Sequence, residues 1–87
     1  MSEEATMQVT VRYFAAAAEA SGVEEETIAF EQGATLGELK ALLEQRYGER
    51  MLAVLRTGSF LLDRVVRRDP AHPLAATVDV LPPFAGG

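Results

Sequence analysis

The chain has 87 residues, 48% of them hydrophobic and 24% charged, with a formal net charge of −5. That length suits one modest core and is too short for two. The lack of cysteine excludes disulfides, thiolate metal sites and a cysteine nucleophile, and the acidic balance argues against nucleic acid, whose binders need a basic footprint.

The opening "MSEEATM" lacks the basic start and apolar stretch of a signal peptide, and no apolar run approaches the roughly 18 residues of a membrane span. The expected location is the cytoplasm. Residues 1–6 read as a disordered, acidic leader, residues 7–83 as the folded unit and residues 84–87 as a tail.

"MQVTVRYFA" alternates as a half-buried strand, with Met7, Val9, Val11 and Tyr13 on one face. Gln8, Thr10, Arg12 and Phe14 share the other, where Phe14 is the apolar exception. "AAAEASG" predicts a helical turn closed by Gly22. "ETIAFE" predicts a second strand with Ile28 and Phe30 inward, pairing with the first as a hairpin-like unit. The run Glu24 to Glu26 before it reads as a solvated hairpin edge.

"GATLGELKALLEQRYGE" is the clearest element. Thr35 and Glu38 have capping-box spacing, and Leu36, Leu39, Leu43 and Tyr47 recur at helical spacing with Leu42 flanking them. Gly48 ends the helix. "RMLAVL" fits either a second short helix or an irregular packed segment. "SFLLD" and "RVVRR" predict two short strands turning near Asp63 and Arg64, followed by the proline-punctuated loop "DPAHPL". "TVDVL" is the last strand, with Val78 and Val80 on one face, and Pro82 and Pro83 end its ladder because proline has no N–H.

One main amphipathic helix and a mixed sheet make an α+β, two-layer fold. A sheet curled around that helix, the ubiquitin-like β-grasp arrangement, is the economical solution. Placing the first and last strands centrally best explains their apolar alternation.

The single histidine, His72, lies in the proline loop without a nucleophile motif nearby, so it reads as a solvated loop residue. No glycine-rich phosphate loop follows a strand, and no pair of carboxylates stands out for acid–base work. Arg64, Arg67 and Arg68 read first as a solvated strand face and second as a docking patch for an acidic partner. Autonomous catalysis is not expected.

The tail "LPPFAGG" differs. Pro82 and Pro83 fix their own φ angles and favour an extended Leu81, so the segment projects stiffly from the sheet with Phe84 as an anchor. Ala85, Gly86 and Gly87 have so little side-chain bulk that a partner can enclose them in a narrow channel. The terminal carboxylate then has no bulky flank, and can attack a phosphoryl group or be attacked as an activated acyl group.

From Met7 to Gly87 the chain resembles the MoaD-type small subunit of molybdopterin synthase, in the MoaD/ThiS sulfur-carrier family of ubiquitin-like proteins. The resemblance rests on "VTVRYFAAA", on "GATLGELKALLEQRYG" and above all on "DVLPPFAGG". It implies that Gly87 is adenylated by an ATP-using partner similar to the ubiquitin-activating enzymes and then converted to a thiocarboxylate. It further implies that the large synthase subunit accepts the tail and moves the sulfur to a pterin precursor. On this resemblance Gly87 is the sulfur carrier, Gly86 a slender spacer, and Ala85, Phe84 and Pro83 partner-binding residues, with Phe14 on the partner surface. The chain itself would be a non-catalytic carrier, holding no stable cofactor and no metal; the partner uses the ATP. Sulfur carriage toward thiazole or cysteine, and attachment to other proteins as a modifier, stay open as alternatives.

Overall fold

The structure is a computed structural model that describes residues 6–83. Strand β1 (Thr6–Tyr13) and strand β2 (Glu25–Glu31) form an antiparallel pair joined through helix α1 (Ala16–Ser21). Helix α2 (Leu36–Tyr47) and helix α3 (Glu49–Thr57) follow, then β3 (Ser59–Leu62), β4 (Val65–Val66) and β5 (Thr77–Leu81). Among the described residues the strands form one five-stranded sheet in the order β2-β1-β5-β3-β4. β1 and β5 run parallel and the other neighbours antiparallel. The first and last strands are therefore central, as their alternation predicts.

Each element follows from local chemistry. In β1 the inward residues Val9, Val11 and Tyr13 are buried. Ser21 is followed by Gly22, whose φ of 83° is left-handed and whose N–H bonds the Ala18 carbonyl at 2.8 Å, closing α1. The α2 capping box is complete: Thr35 Oγ1 accepts from the Glu38 N–H, and Glu38 Oε1 accepts from the Thr35 N–H, both at 3.3 Å. Leu36, Leu39 and Leu43 are fully buried, while Tyr47 and Leu42 are half-buried beside them.

"RMLAVL" proves helical. In α3, Met51, Val54 and Leu55 are buried at helical spacing, and Gly48, with a φ of 82°, lets the chain bend between the two helices. The main helix α2 is thus joined by two shorter ones, α1 and α3, on the same side of the sheet. At the β3–β4 turn, Asp63 and Arg64 both take positive φ (50° and 73°), the conformation whose twist matches a two-residue hairpin. β4 is shorter than "RVVRR" suggests, because only Val65 and Val66 pair with β3.

The "DPAHPL" loop has a structural task. The Leu36 N–H bonds the His72 carbonyl at 2.9 Å and the Gly37 N–H bonds the Pro70 carbonyl at 2.8 Å. With Thr35 Oγ1 on the Glu38 N–H, the first three free donors of α2 are satisfied. His72 is half-buried rather than freely solvated, and its ring Nδ1 lies 2.8 Å from the Pro73 carbonyl.

The sequence reading of Glu24 to Glu26 as a solvated edge needs correction. Glu24 and Glu25 are exposed, but Glu26 shares the inward parity of Ile28 and Phe30 and is half-buried. The hydroxyls of Tyr13 and Tyr47 both donate to Glu26 Oε2, and Arg46 Nη1 reaches Oε1 at 3.2 Å. The two tyrosine rings meet edge to face, 6.1 Å between centroids and 83° between planes. Burial, and after it the Glu26 charge, pushes both tyrosine hydroxyls up, so they remain donors. For Glu26 burial works upward, yet the two tyrosine hydrogen bonds and Arg46 outweigh it and hold the carboxyl below its ordinary value.

A carboxyl whose pKa is lower folded than unfolded contributes stability that is present above the unfolded value. That contribution is lost as pH falls through the folded one. Denaturant unfolding between neutral and acidic pH should therefore show wild type losing more stability on acidification than Glu26→Gln. At neutral pH the variant should be less stable by about 1–2 kcal/mol, because charge-assisted hydrogen bonds become neutral ones. Equal acid sensitivity in the two proteins would show that Glu26 gains nothing from its partners.

Candidate functional site

The last strand sets the site. β5 lies between β1 and β3, and Val78 and Val80 are fully buried beneath it. At its end Leu81 pairs with Ser59 of β3, and the Phe14 N–H bonds the Val80 carbonyl at 3.1 Å. Gly58 closes in from below. A Cβ on it would sit 2.2 Å from the Leu81 carbonyl oxygen and 2.8 Å from that of Val54, distances that no real side chain tolerates. The backbone leaving the sheet at Leu81 is thus fixed on both edges and underneath. Pro82 is half-buried and Pro83 exposed as the chain departs. Phe84, Ala85, Gly86 and Gly87, the remaining tail residues expected from sequence, lie outside the described residues.

Phe14 immediately follows β1. Tyr13 is in register with Val80, so Phe14 comes level with Leu81 at the tail's origin. It is 37% exposed, and the Arg12 guanidinium stands 5.7 Å from its ring centroid. The structure therefore brings Phe14 and the Leu81–Pro83 segment to the same end of the sheet. The Ala15 that follows has φ 52° and ψ −120°, a strained conformation for a residue with a Cβ, where the chain swings away into α1.

The sheet face turned away from the helices carries an element that sequence reasoning missed. One register row reads Glu25, Arg12, Asp79, Leu61, Val66 across the strands. Within it Arg12 Nε lies 3.1 Å from Asp79 Oδ1. Asp79 is 7% exposed, the buried charged residue among those described. Its Oδ1 nonetheless has no aligned hydrogen-bond donor, so charge and proximity rather than a directed N–H hold the pair. The signal was present in the strand's parity: Asp79 alternates with Val78 and Val80, and the outward residue of a central strand is covered by its neighbours.

Among the described residues no group of three or more His, Asp or Glu could hold a metal ion. No helix there is long and apolar enough to cross a membrane. What the fold presents is a rigidly held strand end, a half-exposed aromatic beside it and the tail that follows.

The sequence profile of the ThiS family matches residues 11–87. The chain belongs to the ThiS family. It is therefore a member of the ThiS/MoaD group of ubiquitin-like sulfur carriers, with the β-grasp fold of that group. A search of curated proteins by sequence gave no match. Among solved structures, the Haloferax volcanii HVO 2177 protein is similar with a TM-score of 0.79 and 24% identity, over 95% of this chain and 89% of that one. Small archaeal modifier protein 1 from Methanosarcina acetivorans is similar with a TM-score of 0.73 and 20% identity, over 94% and 98%. A chain of the complex of subunits 1 and 2 of molybdopterin-converting factor from Helicobacter pylori gives 0.65 and 26%, over 93% and 100%.

Two outcomes test this geometry. Gly58→Ala should cost about 1–3 kcal/mol in denaturant unfolding, since the clash is with backbone that must move rather than with a flexible side chain. Arg12→Leu, which leaves Asp79 covered without its cation, should also destabilise by about 1–3 kcal/mol. The double variant Arg12→Leu/Asp79→Leu should recover most of that loss. Additive losses in the double variant would mean that the two residues are not coupled.

Proposed function

We propose that the chain is a sulfur carrier for molybdenum cofactor synthesis, acting in the cytoplasm as the small subunit of molybdopterin synthase. The observation that carries this reading is the family match running through residue 87, on a tail whose origin at Leu81 is rigidly held. The Gly87 carboxylate attacks the α-phosphorus of ATP on an adenylating partner, releasing pyrophosphate and leaving an acyl adenylate. A sulfur nucleophile then displaces AMP from the acyl carbon, and Gly87 holds a thiocarboxylate. Phe84, Ala85 and Gly86 thread the partner's channel, and bulk at any of the last positions would block it. Pro83 stiffens the approach, and Phe14 offers an apolar contact beside it. The large subunit then receives the tail, and its active site passes the sulfur to the pterin precursor.

The likeness to a chain from the complex of the two molybdopterin-converting factor subunits supports the choice of partner. The likeness to small archaeal modifier protein 1 favours a second reading, in which the same acyl adenylate is attacked by a lysine amine of another protein. Carriage of sulfur toward thiazole or cysteine would use the same first two steps.

Intact mass spectrometry distinguishes these. Incubation with ATP, sulfide and an adenylating enzyme of the family should convert wild type to a species heavier by one oxygen-to-sulfur exchange, mapped to Gly87. The variant lacking Gly87 should stay unchanged while folding normally. The thiocarboxylated protein, mixed with the large subunit and pterin precursor, should return to its carboxylate mass as dithiolene forms. Conversion without transfer to the pterin would sink the molybdopterin assignment, and conjugates to lysine would establish the modifier reading.

A further inference from the structure

The basic run Arg64, Arg67, Arg68 is divided by the fold. Arg64 turns to the open sheet face, where it lines a depression with Arg12 and Asp79. Arg68 goes to the helical side and lines a hollow with Lys40, Arg56 and Phe60, beside Gly58. Lys40, Leu55 and Arg56 also line the adjoining hollow, so the two, of about 170 and 320 Å³, form one groove between α2, α3 and the loop at Pro70.

Three features of this groove are unusual for so acidic a chain. None of Lys40, Arg56 and Arg68 has an acidic partner among the described residues, although the chain carries 13 acidic residues against 8 basic ones. The Lys40 ammonium instead rests 5.2 Å from the centroid of the Phe60 ring. Leu52, Leu55 and Pro70 supply apolar surface in the larger hollow, while the smaller one, with Lys40, Arg56 and Arg68, is mainly polar. One end of the groove is Gly58, the residue packed on the Leu81 carbonyl, so it opens at the origin of the tail.

We propose that this groove seats an acidic, partly apolar segment of a protein partner, one that engages the chain next to the tail. Charge complementarity selects an anion, and the apolar surface of the larger hollow selects side chains that a free phosphate lacks. A phosphate group is further disfavoured. The N-terminal N–H groups of α2, which would cradle it, are already taken by the carbonyls of His72 and Pro70 and by Thr35 Oγ1. Glu44 also lines the groove, so its lining is not uniformly cationic. This surface lies on the helical side, distinct from the open sheet face that carries Phe14 and Asp79.

The test uses the full chain and a fluorescein-labelled hexapeptide of alternating glutamate and leucine. Anisotropy should show binding that weakens with added salt. Amide resonances of Lys40, Arg56, Gly58 and Arg68 should shift in ¹⁵N spectra. The triple variant Lys40→Gln/Arg56→Gln/Arg68→Gln should stay folded, with only a small change in melting temperature from the lost Lys40–Phe60 contact, and bind roughly tenfold more weakly, as expected for three surface charges lost together. No binding by wild type, equal binding by the variant, or shifts confined to other surfaces would overturn the proposal. So would ATP or inorganic phosphate shifting the groove residues at lower concentration than the peptide. The titration needs no thiocarboxylate, so it stands or falls apart from the chemistry proposed for Gly87.

Discussion

The structure depends on the placement of β5. It is the last strand made, yet it sits in the middle of the sheet, bonded to β1 on one edge and β3 on the other. Its parallel pairing with β1 joins Thr10 to Thr77, so nearly the whole chain must be gathered before the ladder closes. In return, Val78 and Val80 reach the centre of the core, and the strand end at Leu81 cannot shift without disturbing both neighbours. A tail growing from an edge strand would have a loose origin. Because β5 is central, the tail's origin at Leu81 shares the rigidity of the whole sheet. Gly58 completes the constraint by letting α3 and β3 close against the last carbonyl of the strand.

Most of this was legible in the sequence because the strong signals are local. Alternation named the inward residues of β1 and β5, the Thr35–Glu38 spacing named the start of α2, and the proline pair named the end of the ladder. "RMLAVL" stayed ambiguous because its apolar spacing is short, and only packing of Met51, Val54 and Leu55 into the core beside α1 and α2 makes a helix the better burial. The residues misread were polar ones. Glu26 looked solvated inside an acidic run, but strand parity turns it toward Tyr13 and Tyr47, which are distant in sequence and meet only across the fold. The Arg12–Asp79 pair is likewise a product of register between strands far apart in the chain, which composition does not contain.

The candidate site was legible in a different sense. The reading of the tail rests on residue types alone: slender residues, stiff prolines and a carboxylate. Phe14 could be singled out as an apolar side chain on a polar face, and the fold sets it level with Leu81. The electrostatic surroundings could not be read in this way. The arginine run appears in sequence as one patch, yet the β3–β4 hairpin and the loop after it send Arg64 and Arg68 to opposite sides of the sheet.

That division gives the tail's origin two different flanks. On the open face, Phe14 stands beside a covered ion pair whose Asp79 Oδ1 lacks an aligned donor. On the helical side, cations with no acidic partner among the described residues line a groove that is apolar along part of its length. A part-exposed aromatic such as Phe14 gains from being covered by a partner, while cations at a surface gain chiefly from a partner's negative field, which acts on the rate of encounter. The two flanks therefore favour different physics at one place. The groove suits steering and orientation as a partner approaches, and the open face suits the closer, desolvated contact that follows. On the function proposed above, such a division would let successive partners share the tail while weighting its flanks differently.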